Sequence, residues 1–426
     1  MADAAPASTA DRTAMGGWRR NVALFLIGQS AALFGAFAVD LAAVWHLMLT
    51  TGSGAVMMWA TIFSMVPQAV TSLFGGVWAD RYSRKLLIIG SGIVMVSVSL
   101  ALAFVMLNGV NGTWVIYLAL AVRSAFAGVQ QPAVGAILPQ IVPSEQLLRV
   151  NGINDALQSV LFLAAPGAAG AIYAAVGIHA VFFVDVATGV LGIGLLAVVP
   201  VARAAVAAPA GTGLAGYFRD LAGGLVYVVR SRAIRWLMLL LGVMLLLAGA
   251  PMMLTTLMVV RSFGGEVWMV SGNEIAWGIG GLVGGLAVAA LARRMSNRVA
   301  IIVASVIAAA ALSIALGLST NLWVFYAFGV AISFALAFET TPTTTILQET
   351  IEPEMQGRVF GFHSVVITTA MPLSMLVFGP LADRFSVESL LIAAGVLLAV
   401  FIGTLLAVPG ARRSLAAIAT PAKTAT

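Results

Sequence analysis

The sequence contains no cysteine, only two lysines and only three histidines among its 426 residues. Without cysteine, disulfide bonds and thiolate metal sites are excluded. The three histidines are far apart in the chain, which argues against a dedicated metal site. Neither lysine lies in a G-x-x-x-x-G-K-[ST] sequence, so we expect no ATP-binding phosphate loop. No nucleophile and base stand in a catalytic pattern either. We therefore predict a protein that is not an enzyme and that uses no cofactor or metal.

Charged side chains are also scarce. They make up 9% of the chain, whereas hydrophobic residues make up 61%. A soluble protein of this length could not bury so much apolar surface. The fold class that we predict is an all-α polytopic membrane protein, because only helices of about 20 apolar residues satisfy their backbone within lipid. The net charge of +6 comes from cations spread over the loops. It therefore predicts contact with the lipid bilayer and not with nucleic acid.

The apolar runs predict twelve transmembrane helices, with ends uncertain by about 2–4 residues. The predicted spans are 21–49, 54–79, 86–107, 114–140, 150–176, 179–201, 234–262, 268–292, 299–319, 322–350, 357–382 and 386–408. The predicted domains are a tail at 1–20, a six-helix half at 21–201, a linker with an amphipathic helix at 202–233, a second six-helix half at 234–408 and a tail at 409–426.

Lysine and arginine are concentrated at one set of helix ends. The opposite loops carry only Arg261 and Arg384. Cytoplasmic loops are enriched in these cations, so the cation-rich ends are predicted to be cytoplasmic. Because the number of helices is even, both termini are expected on that side. We predict a multi-pass protein of the cell inner (plasma) membrane with cytoplasmic tails.

A repeated pattern indicates that the two halves are related. Pro132 and Pro143 are eleven residues apart, and so are Pro342 and Pro353. An acid, an arginine and a glycine follow each pair at similar spacing. Chance similarity of apolar segments is the alternative, but it does not account for the matched prolines. The pattern favours two pseudo-symmetric six-helix halves.

A short, densely charged segment joins the second and third apolar runs. It reads GGVWADRYSRK from Gly75 to Lys85. The segment resembles the loop 2–3 signature, G-x-x-x-D-R-x-x-R-K, of the major facilitator superfamily of secondary transporters. The resemblance implies a cavity at the bilayer midplane and alternating access between two halves. A cationic loop with no further role is the alternative. The cytoplasmic gate motif implied by the resemblance comprises Gly76, Asp80, Arg81, Arg84 and Lys85, with Asp155 in the same charge network.

Further segments indicate a particular branch of this superfamily. The run QETIEPEMQGRVFG at 348–361 and the run FFVD at 182–185 look like the macrolide-efflux-like branch of drug:proton antiporters. The run from Arg123 to Gly128 resembles the R-x-x-x-x-G motif of antiporter helix four. Helix five departs from the antiporter G-P-x-x-G-G pattern, because Ala165 replaces the glycine before the proline. The resemblance implies export and suggests proton antiport.

Acidic and basic residues inside apolar helices are the candidate coupling groups. An ionised side chain at mid-bilayer costs at least about 2.5–3.5 kcal/mol, so each must pair, protonate or face a cavity. Asp40 and Arg123 fall at roughly similar depth in helices one and four. We expect them to pair and to exchange partners as Asp40 takes up a proton. A static ion pair, or an Asp40 near the external headgroups, is the alternative.

Glu339 stands beside a run of threonines and Pro342, which predicts a bent and hydrated helix. We expect Glu339 to assist proton coupling or to select substrate charge; hydrogen bonding to neighbouring helices at a gate is the alternative. Asp185 and Glu274 lie about six residues from the external helix ends. An interfacial or cap-like role is therefore expected for both.

The predicted function is a secondary active exporter of amphiphilic small molecules, drug-like or macrolide-like, coupled to proton entry. A symporter, or an exporter of one dedicated metabolite or siderophore, is the first alternative. A non-transporting sensor or lipid scramblase is an alternative of another class. We expect the substrate and protons as partners of a monomer. Apolar and polar side chains predicted to line the substrate cavity are Phe34, Phe37, Phe126, Gln130, Phe334, Phe338 and Glu339.

Overall fold

The computed structural model describes residues 17–110, 112–201 and 214–419. These residues form fourteen α-helices joined by short turns, two of which are 3-10 turns at Ser144–Gln146 and Ala292–Arg294. The helices are α1 (Trp18–Thr51), α2 (Gly54–Arg81), α3 (Arg84–Leu107), α4 (Thr113–Ile141), α5 (Leu147–Val176), α6 (Ile178–Val198), α7 (Leu214–Arg230), α8 (Arg232–Ser262), α9 (Val267–Leu291), α10 (Arg298–Gly317), α11 (Leu322–Thr350), α12 (Pro353–Ala382), α13 (Val387–Ala407) and α14 (Pro409–Ala417).

Twelve of the described helices, all except α7 and α14, are long and apolar enough to cross a membrane. The predicted all-α fold with twelve transmembrane helices is therefore confirmed for the described part of the chain. The largest difference from the predicted spans is at α12, which begins at Pro353 and not at residue 357. Proline suits the first turn of a helix, because the N–H that it lacks would have no helical partner there.

Polar caps and glycines set the helix ends. The side chain of Asn321 accepts hydrogen bonds from the backbone N–H groups of Trp323 and Val324 at 2.9 and 3.3 Å. Such a cap satisfies donors that have no partner inside the helix. Between α5 and α6 the chain turns at Gly177, whose φ of 107° is readily adopted only by glycine. Long apolar helices thus follow one another with very short connections.

The described residues group into two compact units. One contains residues 17–43 and 63–201, and the other contains residues 44–62 and 214–419. The tip of the α1–α2 hairpin therefore belongs to the second unit, although both of its helices continue into the first. Residues 1–16 of the tail predicted at 1–20, residues 202–213 of the predicted linker and residues 420–426 lie outside the described residues.

In the first unit, α3 packs against α4 and α6. Glycines bring α2 and α4 together: a Cβ on Gly75 would lie 2.7 Å from the carbonyl oxygen of Gly128. A Cβ on Gly128 would in turn overlap the Thr71 hydroxyl and the Gln68 carbonyl. Close packing of small residues is the usual way in which membrane helices associate.

The second unit repeats this arrangement. Helix α10 packs against α11 and α13, as α3 does against α4 and α6. Helices α9 and α11 approach closely at glycines, since a Cβ on Gly284 would lie 2.8 Å from the Phe334 carbonyl oxygen. The same helix pairs thus make close contact at corresponding places in each unit, in agreement with the repeated proline pattern.

Two further helices cover one end of the second unit. Helix α7 packs against α12, where Asp220 forms a 3.0 Å ion pair with Arg358. Helix α14 falls within the segment predicted as a tail and packs against α8. Its residues Ala411 and Leu415 are buried in the core of the second unit. Burial of these two apolar side chains gives the tail an ordered helix.

Candidate functional site

Arg123 lies in the interior of α4, and its side chain is 2% exposed. A cation at this position needs close partners, because leaving water is costly for an ionised group. Glycine in α1 allows those partners to approach. A Cβ on Gly35 would lie 2.7 Å from the Asp185 carboxylate, so α1 and α6 meet at this residue. Helices α1 and α6, which both carry an acid that faces Arg123, thereby lie close together beside α4.

Asp185 is the principal partner of Arg123. Its Oδ2 lies 2.7 Å from Arg123 Nη1 and accepts a 2.6 Å hydrogen bond from the Ser99 hydroxyl. Arg123 Nη1 also donates to Ser99 Oγ at 2.5 Å. The Asp185 side chain is 6% exposed. The expectation of an interfacial or cap-like role for Asp185 is therefore wrong. Its depth in α6, eight residues or about 11 Å from the helix start, is the signal that could have found it.

Asp40 is the second carboxylate beside Arg123. Its Oδ1 lies 3.5 Å from Arg123 Nε, and its side chain is 53% exposed. The expected contact between Asp40 and Arg123 is thus present, although it is long. Arg123 Nε and Nη2 form no hydrogen bond with any described group. One edge of a buried guanidinium is consequently turned away from Asp185 and remains unsatisfied beside an accessible acid.

The two carboxylates are not equivalent. With all three side chains ionised, the group of Asp40, Arg123 and Asp185 carries one excess negative charge. Asp185 is buried and held by two short bonds, whereas Asp40 is half-exposed and held by one long contact. A proton that binds Asp40 would remove the excess charge and leave the pair of Arg123 with Asp185 intact. The arrangement can therefore accept and release a proton without unpairing a buried cation.

Glu339 lies in α11 of the second unit and is 2% exposed. Its carboxylate accepts hydrogen bonds from Thr343 at 3.0 Å and Thr340 at 3.3 Å, both on its own helix. Pro342 is part of the same turn and has no N–H to offer the preceding turn. No ion pair to Glu339 is present among the described residues. Glu339 is therefore a buried acid stabilised by hydroxyl groups and not by a cation.

A second buried polar group connects α8 and α9. Thr256 donates to Glu274 at 3.2 Å, and Asn273 donates to Thr255 and Thr256 at 3.2 and 3.3 Å. Glu274 lies eight residues into α9, so its expected cap-like role is wrong; Glu266 is the N-cap residue. Two adjacent threonines in one apolar helix and an Asn-Glu pair in the next are the sequence features that could have indicated this buried polar group.

The side chains predicted to line a substrate cavity are distributed over both units. Phe37 packs edge-on against Phe162, with ring centroids 6.2 Å apart, and Phe334 packs against Phe338 at 5.2 Å. The Gln130 amide donates a 3.5 Å hydrogen bond to the Ile88 carbonyl. That these side chains share one cavity stays a prediction. The first unit contains Phe34, Phe37, Phe126 and Gln130, and the second contains Phe334, Phe338 and Glu339.

Two cations of the charged loop bind helix ends. Arg84 donates to the carbonyl of Ala136 at 2.7 Å and to that of Ala79 at 3.2 Å. Lys85 donates to the carbonyls of Ala197 and Val199 at 2.7 and 2.8 Å. Arg84 thus reaches carbonyls near the ends of α2 and α4, and Lys85 reaches the end of α6. Cations are stabilised where the helix dipole places negative charge.

The remaining members of the predicted gate motif differ from expectation or fall outside the described side chains. Gly76 faces open space, and the glycine at the helix contact is Gly75. Asp155 is exposed, and its side chain forms no hydrogen bond or ion pair with the described groups. No contact between Asp155 and Arg84 is present among the described side chains, and membership of Asp155 in a charge network around Asp80 stays a prediction. The side chains of Asp80 and Arg81 lie outside the described residues.

Comparison with known proteins identifies the family. A family model described as Major Facilitator Superfamily matches residues 25–373. The protein belongs to this superfamily, which confirms the resemblance of the charged loop. It is a multi-pass membrane transporter and not an enzyme.

The relatives are consistent with the predicted branch. Macrolide efflux protein A of Streptococcus pyogenes is 25% identical over 383 residues, which are 89% of this chain and 94% of that protein. The protein of the same name from Enterococcus faecalis is 24% identical over 317 residues, 74% of this chain and 97% of that protein.

Solved structures share the fold. A bacterial homologue of the iron transporter ferroportin, in an inward-facing state, has a TM-score of 0.69 and 18% identity, covering 90% of this chain and 98% of that one. The nucleoside transporter NupG has a TM-score of 0.71 and 14% identity, covering 90% and 99%.

Proposed function

We propose that this transporter exports amphiphilic, macrolide-like small molecules across the inner membrane in exchange for protons, by alternating access. The buried Arg123 between a fixed Asp185 and a half-exposed Asp40 is the observation that carries the proposal. The name of the Streptococcus pyogenes relative supports efflux and the macrolide-like substrate class. The distribution of lysine and arginine supports cytoplasmic termini.

In the proposed cycle, Asp40 carries the proton. Protonation from outside removes the excess negative charge of the three-residue group, and release to the cytoplasm restores it. Arg123 keeps Asp185 as its partner throughout, so no step leaves a buried guanidinium without a counter-ion. Glu339 is the second proton-coupling acid of the proposal. Its bonds to Thr340 and Thr343 require no cation, so it can be neutral or ionised according to the substrate.

The test is efflux from energised cells preloaded with a radiolabelled macrolide or, separately, with a fluorescent amphiphilic dye. We expect wild-type protein to export at least one of them and an ionophore that collapses the pH gradient to stop export. Asp40→Asn should be expressed normally and fail to export. Glu145→Gln is the matched control, because Glu145 is exposed and, among the described residues, its side chain bonds only to its neighbour Ser144.

Two outcomes would overturn the proposal. Export that survives both the ionophore and Asp40→Asn would exclude Asp40 as the proton carrier. A panel in which neither compound moves, although the protein is in the membrane, would exclude amphiphile export. Uptake driven by an inward proton gradient would instead establish the symporter.

A further inference from the structure

The tip of the α1–α2 hairpin is bound by an acid that lies far away in the sequence. Asp383, directly after α12, accepts hydrogen bonds from the backbone N–H groups of Gly54 and Ala55 at 2.7 and 2.9 Å. It also accepts a 2.9 Å hydrogen bond from the Ser53 hydroxyl. A carboxylate is well placed at a helix N-terminus, where free N–H groups and the helix dipole attract negative charge. Asp383 thus caps α2 from another part of the chain.

Arg261, at the end of α8, ties the same parts together. Its Nε donates to the Gly52 carbonyl at 2.8 Å, its Nη1 to the Ala382 carbonyl at 2.5 Å, and its Nη2 to Asp383 at 3.0 Å. One guanidinium therefore binds the turn after α1 and the end of α12. We refer to Asp383, Arg261 and the backbone of residues 52–55 as the hairpin clasp.

Backbone packing supports the clasp. A Cβ on Gly54 would overlap the Gly379 carbonyl, and a Cβ on Gly379 would lie 2.7 Å from the Cβ of Met58. Helices α2 and α12 therefore touch at their backbones beside the polar contacts. These contacts explain why residues 44–62 group with the second unit.

The charge of Asp383 is stabilised by the groups that surround it in the clasp. Partial burial alone would raise the pKa of Asp383, but the Ala55 and Gly54 amides, the Ser53 hydroxyl and Arg261 together lower it. The lowered pKa keeps Asp383 ionised at neutral pH.

We propose that the hairpin clasp is a gate of the transport cycle, at the end of α2 opposite to Arg84 and Lys85. The hairpin tip, Asp383 and Arg261 all belong to the second unit, and the hairpin continues through both of its helices into the first. Any movement of the first unit that carries the hairpin tip away must break these bonds. The inference rests on alternating access, as proposed above, but not on the identity of the substrate or of the coupling ion.

The absence of cysteine allows a direct test. Spin labels on cysteines introduced at Thr50 and Phe385, both exposed, report the distance between the hairpin tip and the end of α12. In reconstituted wild-type protein we expect a dominant short distance. Asp383→Asn should raise the ratio of long to short distances by about tenfold, because the charged acceptor of four hydrogen bonds becomes neutral, and Arg261→Gln should act in the same direction. Arg384→Gln is the matched control: this neighbouring cation is exposed and forms no ion pair with the described residues.

A second pair of variants tests the backbone contact. Gly54→Ala should favour the long distance, whereas Gly403→Ala should not, because nothing lies within 4 Å of a Cβ on Gly403. Unchanged distances in Asp383→Asn, Arg261→Gln and Gly54→Ala would overturn the gate. The measurement needs neither substrate nor a proton gradient. If the three variants show the long distance but the wild-type protein exports none of the tested compounds, the gate is supported. Only the proposed substrate or coupling is then refuted.

Discussion

Replacing Asp185 by asparagine should destabilise the protein far more than replacing Asp40, although both acids contact Arg123. Asp185 and Arg123 are 6% and 2% exposed and are joined at 2.7 Å. Asparagine at this position would leave the guanidinium, among the described residues, with only the half-exposed Asp40 as a carboxylate partner. The two variants have the same shape as the wild type, so they differ only in which charge is lost.

The expected loss of unfolding free energy in each variant follows from how deeply its ion pair is buried. Removing one partner of a buried ion pair costs about 3–5 kcal/mol of unfolding free energy. A pair in which one group is largely exposed contributes only about 0–1 kcal/mol. For a unit of about 200 residues, at roughly 2 °C per kcal/mol, Asp185→Asn should lower the unfolding temperature by on the order of 6–10 °C. Asp40→Asn should lower it by no more than about 2 °C.

Thermal unfolding of the purified variants in one detergent measures this difference, with efflux measured in parallel. We expect Asp40→Asn to be stable and inactive in proton-coupled export, and Asp185→Asn to be both unstable and inactive. Equal loss of stability in the two variants would refute the assignment of Asp185 as the fixed counter-ion. A fully stable Asp185→Asn would refute it as well.

Four further predictions concern other parts of the molecule. Gly128→Ala should cost about 1–3 kcal/mol by forcing α2 away from α4, whereas Gly135→Ala in the same helix, with open space around it, should be neutral or slightly stabilising in thermal unfolding. Glu339→Gln should leave the unfolding temperature nearly unchanged, because the amide oxygen can accept from Thr343 while the amide N–H donates to Thr340 Oγ1, whose own proton can go to the Leu336 carbonyl, but it should flatten the pH profile of export. Lys85→Gln should cost about 0.3–1 kcal/mol by removing the cation from the end of α6, and an unfolding temperature equal to that of wild type would contradict it. Because the pKa of Asp383 is lowered when it is bound, its contact is fully present above the ordinary value of about 3.9 and is lost only as the pH falls through the lowered value. In a variant that carries Asp40→Asn and Glu339→Gln, and so lacks both proposed proton carriers, spin-label distances at the hairpin should be identical at pH 8 and pH 5, and separation at pH 5 would contradict this.

The helix content of the fold could be predicted because the length of an apolar run is a local property. A run of about 20 apolar residues predicts a membrane-spanning helix whatever its neighbours are. The proline at the start of α12 shifted one end by a few residues, and capping residues such as Asn321 fixed others. The superfamily could also be predicted from a local property, because the residues of the charged loop motif are contiguous in the sequence.

Which groups contact the buried charges is not a local property of the sequence. The depth of a residue in the membrane can be estimated by counting residues from the predicted helix end. This count placed Asp40 and Arg123 at similar depth. Which side of a helix faces which neighbour depends on packing. Gly35 in α1 admits Asp185 of α6, and this contact turned a residue expected at an interface into the main counter-ion of Arg123.

The sequence by itself therefore determined the membrane class, the twelve spans, the superfamily and the presence of ionisable side chains inside apolar helices. The tertiary structure decided that Asp185 is buried and bound while Asp40 is accessible, and that Asp383 caps a helix more than 300 residues away. The physical reason is that burial and hydrogen-bond geometry arise between helices. They depend on which side chains the packed glycines allow to approach, and no local pattern records this.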